Sequence, residues 1–173
     1  MIQIRRAKIH ESRDILDFYR NIINTPNDDF NPKWNENYPD LEYIENSILK
    51  EELYIYKHDK KIVSSIIVNN NFGGRYNDAN WTVNAESNET VVIHAFAVDP
   101  SCRGKKISKE IFNIIRKYSL KNNKKAIRVD IIYGNDGAES VFKHLGFKYI
   151  DTVEEYYDAV GFERFLLYEY DLK

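Results

Sequence analysis

Between Ala97 and Phe112 the chain reads AVDPSCRGKKISKEIF. An apolar strand runs through a proline turn into a loop carrying Arg103, Gly104, Lys105 and Lys106, and then into a helix opened by Ile107 and Ser108. A helix entered through a basic, glycine-containing loop aims unpaired backbone N–H groups and the positive end of its dipole at one spot. That spot suits an anion, above all a phosphate. Upstream, His94 interrupts the apolar run TVVIHAFAV. An imidazole titrates near neutrality, so His94 is a candidate proton acceptor, and a hydrogen-bonded core histidine is an equally open reading. Glu86 is a second candidate acceptor. The stretches NPKWNENYP and NNNFGGRYNDANWTVNAESNE carry Trp34, Tyr38, Tyr76 and Trp81 among turn formers. Each tryptophan is either a ligand wall or a cover over the core.

Composition removes several alternatives. A chain of 173 residues, 43% hydrophobic and 30% charged with a net charge of -2, can bury a real core as one globular domain spanning residues 1–173. It has no general electrostatic footprint for nucleic acid. The single cysteine, Cys102, forms no internal disulfide, and His10, His58 and His144 lack metal-site spacing. MIQIRRAKIHESRD has no apolar signal-peptide core, and no stretch reaches membrane-spanning length. The expectation is a cytoplasmic protein without metal, membrane or nucleic-acid partners.

The elements that must position these residues follow from apolar period and turn signals. IQIRRAK alternates as a strand; HESRDILDFYRNII is helical, with Pro26 as a stop beyond it. DLEYIENSILK is a short helix capped by its Asp, and ELYIYKHDKKIVSSIIVNN is a hairpin turning at His58 to Lys60. A long excursion follows, of a length that is functional or mobile. TVVIHAFAV is a buried strand, Gly104 to Leu120 a helix, AIRVDIIY a strand and GAESVFKHL a helix; YIDTVEEYY and RFLLYEYDL close the chain as strands. The order β, α, α, β, β, β, α, β, α, β, β predicts an α/β fold, a central mixed sheet with helices on both faces.

In this order and in two motifs the chain resembles the GNAT acyltransferase superfamily, which moves acyl groups from coenzyme A to amines. The first motif is the pyrophosphate loop [Q/R]-x-x-G-x-[G/A], matched by Arg103-Gly104-Lys105-Lys106-Ile107-Ser108 after Val98-Asp99-Pro100, with Lys106 and Ser108 in place of the small residues. The second, N-x-x-A-x-x-x-Y-x-x-x-G-F, is matched from Asn135 to Phe147, with Phe142 at the tyrosine position. A bacterial subgroup with W-x-x-x-Y-P and a histidine in the fourth strand is similar at Trp34, Tyr38, Pro39 and His94.

The resemblance implies acetyl-CoA as cosubstrate and direct transfer of its acetyl group to a primary amine. Arg103 to Ser108 would take the pyrophosphate, Asn135 and Phe142 would touch the cofactor arm, and the backbone of Phe96, Ala97 and Val98 would pair with pantetheine and donate to the oxyanion. His94 would take the amine's proton and Tyr133 would protonate the leaving thiolate. Trp34, Tyr38, Tyr76 and Trp81 would wall the acceptor end, where rings suit an apolar body or a cation. A non-catalytic acyl-CoA binding or sensing protein, and an acetyltransferase of protein N-termini, remain alternatives on the same scaffold. A homodimer paired through RFLLYEYDL is a further expectation.

Overall fold

The computed structural model describes residues 2–25, 32–72, 74–157 and 161–173. The helix stop expected at Pro26 lies outside the described residues. The elements are β1 (Arg5–Arg6), α1 (Ser12–Ile23), α2 (Leu41–Leu49), β2 (Leu53–His58), β3 (Lys61–Asn69), β4 (Thr90–Val98), α3 (Ile107–Lys121), β5 (Ala126–Ile132), α4 (Asp136–Leu145), β6 (Lys148–Tyr157) and β7 (Gly161–Asp171). Their order is the one read from the sequence.

Local chemistry accounts for many of the boundaries. Asp40 caps α2 by accepting from the Tyr43 N–H at 2.7 Å, and Asn135 caps α4 by accepting from Ala138 N–H at 3.0 Å. The β2–β3 turn places Asp59 and Lys60 at φ 48° and 68°, the handedness that tight hairpins favour. Helix α3 starts three residues later than expected, because Gly104 and Lys106 both have left-handed backbone, φ 76° and 60°. Strand β1 is shorter than its alternating pattern suggests: only Arg5 and Arg6 pair, with Ile55 and Tyr54.

All seven strands form one sheet in the order β1-β2-β3-β4-β5-β7-β6, antiparallel except where β4 meets β5. Helices α1 and α2 cover one face through Ile15, Tyr19, Ile22 and Ile44, and α3 and α4 cover the other through Ile111, Phe112, Ile115 and Phe142. The closing strand β7 lies between β5 and β6, so it offers no free edge for a second copy. The edge of RFLLYEYDL expected to meet a second copy is taken up by β5 and β6 within the chain.

The long segment between β3 and β4 is fastened to the sheet. Glu169 on β7 is almost fully buried, and its carboxylate accepts from Thr82 N–H (3.1 Å), Thr82 Oγ1 (2.6 Å) and Val83 N–H (3.0 Å). Arg128 on β5 donates to Glu169 at 3.0 Å and to the Val83 carbonyl at 3.1 Å. Its guanidinium lies 4.2 Å from the centre of the Trp81 ring. A buried ion pair is tolerated only when its remaining hydrogen-bonding groups are met, as they are here by the loop backbone.

Candidate active site

The site begins with a fault in β4. Its parallel pairing with β5 runs from Thr90↔Ala126 to Ile93↔Val129 and stops, although both strands continue. On its other side the register against β3 slips, Ser65 facing Ala97 but Ile67 facing His94, so β4 carries one extra residue. Ala95 has φ 46°, and such a bulge bends a strand and re-aims its side chains. Val91 and Ile93 pack beneath α3 and α4, whereas Ala95 and Ala97 belong to the core under α1 and α2. His94 and Phe96 consequently face opposite sides of the sheet.

Hydrogen bonds stabilise the fault. The buried Tyr19 hydroxyl donates to the Ala95 carbonyl at 2.7 Å and meets Ser65 Oγ at 3.0 Å. Ser64 Oγ donates to the Ala97 carbonyl at 2.7 Å, and Asp99 N–H donates to the Val63 carbonyl at 2.8 Å. Because backbone groups alternate along a strand, the N–H groups of Phe96 and Val98 point the other way, into the gap over β5.

A cavity of about 770 Å³ passes through that gap. On the α3/α4 side its wall includes Arg103, Gly104, Lys106, Ile107, Ser108 and Phe142; within the gap it includes Phe96, Ala97 and Val98; on the α1/α2 side it includes Trp34, Tyr38 and His94. No side chain caps the start of α3, so its first-turn N–H groups point out of the helix end. The space beside Gly104 is open, with nothing within 4 Å of where a Cβ would stand. Lys106 takes the left-handed conformation that a glycine would adopt freely, so its side chain does not divert the loop. Basic side chains, open backbone and a bare helix end fit the diphosphate of a nucleotide cofactor.

At the other side of the gap His94 meets a residue that the sequence reading passed over. Asp130 on β5 lines the cavity, with Oδ1 4.0 Å from His94 Nδ1 and side-chain exposures of only 20% and 19%. The other ring nitrogen, Nε2, lies 3.0 Å from Asn69 Oδ1, and the Tyr76 hydroxyl donates to Asp130 Oδ2 at 3.3 Å. Burial pushes the His94 pKa down against the pull of the Asp130 charge. It also pushes the Asp130 pKa up against the opposing effect of His94. Burial likewise raises the Tyr38 and Tyr43 hydroxyls, and the Asp130 charge adds to the effect. The signal for Asp130 was present in AIRVDIIY, as a carboxylate in a largely apolar strand that also carries Arg128.

The model of the acetyltransferase (GNAT) family matches residues 19–147, a stretch containing the bulge, the basic loop and both members of the His94/Asp130 pair. The chain belongs to the GNAT acetyltransferase family. Solved GNAT structures share its fold. An acetyltransferase of the GNAT family from Streptococcus agalactiae superposes with a TM-score of 0.75 at 18% identity, over 98% of this chain and 95% of that one. A Staphylococcus aureus protein described as an acetyltransferase gives 0.73 at 24% identity over 99% of both. YncA from Salmonella typhimurium, solved with acetyl-CoA as its cofactor, gives 0.68 at 12% identity over 100% of this chain and 95% of that one. No curated protein matches the sequence.

The remaining expected site residues of this GNAT chain divide. Asn135 lines the cavity, yet its amide is engaged on both sides: Oδ1 caps α4 and Nδ2 donates to the Pro32 carbonyl at 3.1 Å. It ties the Trp34 loop to α4. Phe142 is buried against Phe96 and Phe147, with ring centres 6.3 and 5.1 Å apart. Trp34 and Tyr38 stand edge to face at 5.7 Å, with Trp34 braced by Tyr19 at 5.9 Å.

Others lie elsewhere. Tyr133 is 56% exposed outside the cavity wall, with the Arg164 guanidinium 4.3 Å from its ring centre, so the donor expected at the thiolate is not at the gap. Trp81 packs on Arg128 and donates from Nε1 to the Tyr76 carbonyl at 2.7 Å, which corrects its expected place in the acceptor wall. Tyr76 is buried beneath the loop, and its hydroxyl reaches Asp130. Lys105 and Glu86 do not line the cavity. Among the described residues no group of three or more His, Cys, Asp or Glu could hold a metal, and no helix is long and apolar enough to cross a membrane.

Proposed function

We propose that this GNAT protein is an N-acetyltransferase that moves the acetyl group of acetyl-CoA to a primary amine by direct attack within a ternary complex. The observation that carries the reading is the continuity of one cavity, from the basic start of α3, through the β4–β5 gap, to the His94/Asp130 pair. Arg103, Lys106 and the first-turn N–H groups of α3 would hold the diphosphate. The Phe96 and Val98 N–H groups would pair with the pantetheine arm as a neighbouring strand does, and one would donate to the oxyanion of the reacting carbonyl.

An alkylammonium of pKa about 10 must lose a proton before it can attack. The His94/Asp130 pair has room for that proton and passes it to solvent. The free amine then adds to the carbonyl carbon, forming the C–N bond and the oxyanion; the C–S bond breaks as the carbonyl re-forms, and the departed thiolate takes up the second nitrogen proton to give the free thiol. Phe142 offers no proton there, and a thiolate leaves without one. Phe142 and the displaced Tyr133 favour the second reading, an acyl-CoA binder without turnover.

Calorimetry with acetyl-CoA, CoA and dephospho-CoA, followed by thiol release over a panel of amines and N-terminal peptides, separates the readings. Micromolar acetyl-CoA binding with amine-dependent thiol release is the expected result. Binding with no release above background for any acceptor would leave a sensor, and no binding at all would remove both readings.

A further inference from the structure

The two sides of the cavity differ in charge. Its cationic wall residues, Arg103, Lys106 and Lys109, belong to the loop before α3 or to α3 itself. Around Asp130 the wall is His94, Trp34, Tyr38, Ile132 and Phe165, and among the described residues no Lys or Arg lines that side. A carboxylate held among rings and aliphatic groups has lost most of its hydration, and an incoming ammonium offsets that loss. A carboxylate on the same incoming molecule would place a second negative charge in the same poorly hydrated space, with no Lys or Arg to meet it.

Resting on the acetyltransferase reading, we infer that this chamber selects arylalkyl amines that carry no carboxylate. The ammonium sits on Asp130 and the apolar body lies against Trp34, Tyr38 and Phe165. The edge-to-face contacts of Trp34 with Tyr38 and Tyr19 hold the wall in place, so an aromatic body meets a preformed surface. The class of reaction that supplies such substrates is the decarboxylation of aromatic amino acids. In this reading Asp130 is a catalytic residue, touching the nitrogen that reacts.

The test pairs each amine with its parent amino acid, tyramine with tyrosine and 2-phenylethylamine with phenylalanine. Thiol release at saturating acetyl-CoA is read beside calorimetric titration of the same compounds into the intact chain saturated with CoA. Each amine is expected to exceed its amino acid in kcat/KM by about 100-fold or more. Asp130→Asn should collapse that ratio while raising the amine KM, and Asp130→Glu should keep it, with circular dichroism showing that both variants fold. Equal rates for amine and amino acid, or an unchanged ratio in Asp130→Asn, would overturn the assignment of the chamber and leave acetyl transfer standing. If neither member of a pair is acetylated, Asp130-dependent binding of tyramine over tyrosine would sustain the chamber, and absence of that preference would overturn it; acetyl transfer itself is decided by the wider amine and peptide panel.

Discussion

His94 Nδ1 and Asp130 Oδ1 stand 4.0 Å apart on adjacent strands, at the first position where β4 and β5 cease to pair. His94, just ahead of the bulge, faces α1 and α2 beside Asp130 on the neighbouring strand, whereas the bulge turns Phe96 to the opposite face as the gap for a ligand opens. The pair thus stands at the lip of the opening.

The pair sets the pH dependence. Each ion favours the charged form of the other, while burial opposes both. Asp130→Asn removes the anion that holds the His94 pKa up, so the acid limb of kcat/KM moves to lower pH. His94→Gln removes the cation that holds the Asp130 pKa down, so the limb moves to higher pH. Profiles of the two variants should shift in opposite directions, and a common direction would show that the two groups do not interact.

Asp130 also costs stability. Its folded-state pKa is raised above the unfolded value, chiefly by burial, so the penalty is present above the folded pKa and disappears as pH falls below the unfolded one. Asp130→Asn should therefore raise stability, and with it Tm, at neutral pH. The gain should shrink as pH falls through the carboxylate range, which thermal melts across pH will show. A more stable and less active variant is the expected pairing.

Tyr19→Phe leaves the Ala95 carbonyl without its buried hydroxyl donor. The expected loss is about 1–3 kcal/mol by denaturant titration. Because Ala95 is the bulge itself, kcat should fall while the KM for acetyl-CoA changes little.

At the phosphate end, Arg103→Ala with Lys106→Ala should weaken coenzyme A binding and flatten its dependence on salt. Lys106→Gly separates charge from backbone. It relieves a left-handed conformation that costs a side-chain-bearing residue about 1–2 kcal/mol, partly offset by the flexibility of glycine. This variant should melt no lower than the parent yet bind CoA more weakly at low salt. Undiminished affinity of the double variant at low salt would count against the phosphate loop.

The two tryptophans should behave differently. Trp34→Ala is expected to raise the acceptor KM, because Trp34 lines the cavity. Trp81→Ala is expected to lower stability and leave that KM nearly unchanged, since its ring covers Arg128. Glu169→Gln, which leaves Arg128 buried without its counter-charge, should cost about 3–5 kcal/mol in chemical denaturation. An acceptor KM raised equally by both tryptophan variants would restore Trp81 to the acceptor wall.

Much of this molecule was legible in one dimension. Element order follows from apolar periods and turn residues, which act over a few positions, and Asp40 and Asn135 cap their helices by equally local rules. The basic loop was legible for the same reason, since a helix end advertises its free N–H groups wherever it lies.

What the sequence by itself determined is therefore the elements, their order and the phosphate-type loop. The extra residue in β4 was not legible, because a bulge exists only relative to the register of β3 and its unpaired carbonyl needs Tyr19 from a helix far along the chain. Asp130 was visible as the one carboxylate in a largely apolar strand, but its approach to His94 depends on where two strands part. Trp34 and Trp81 look alike in their loops. Tertiary structure alone sends one to the cavity and the other to the Arg128/Glu169 pair, because burying that pair requires its hydrogen bonds and its cover to come from distant parts of the chain.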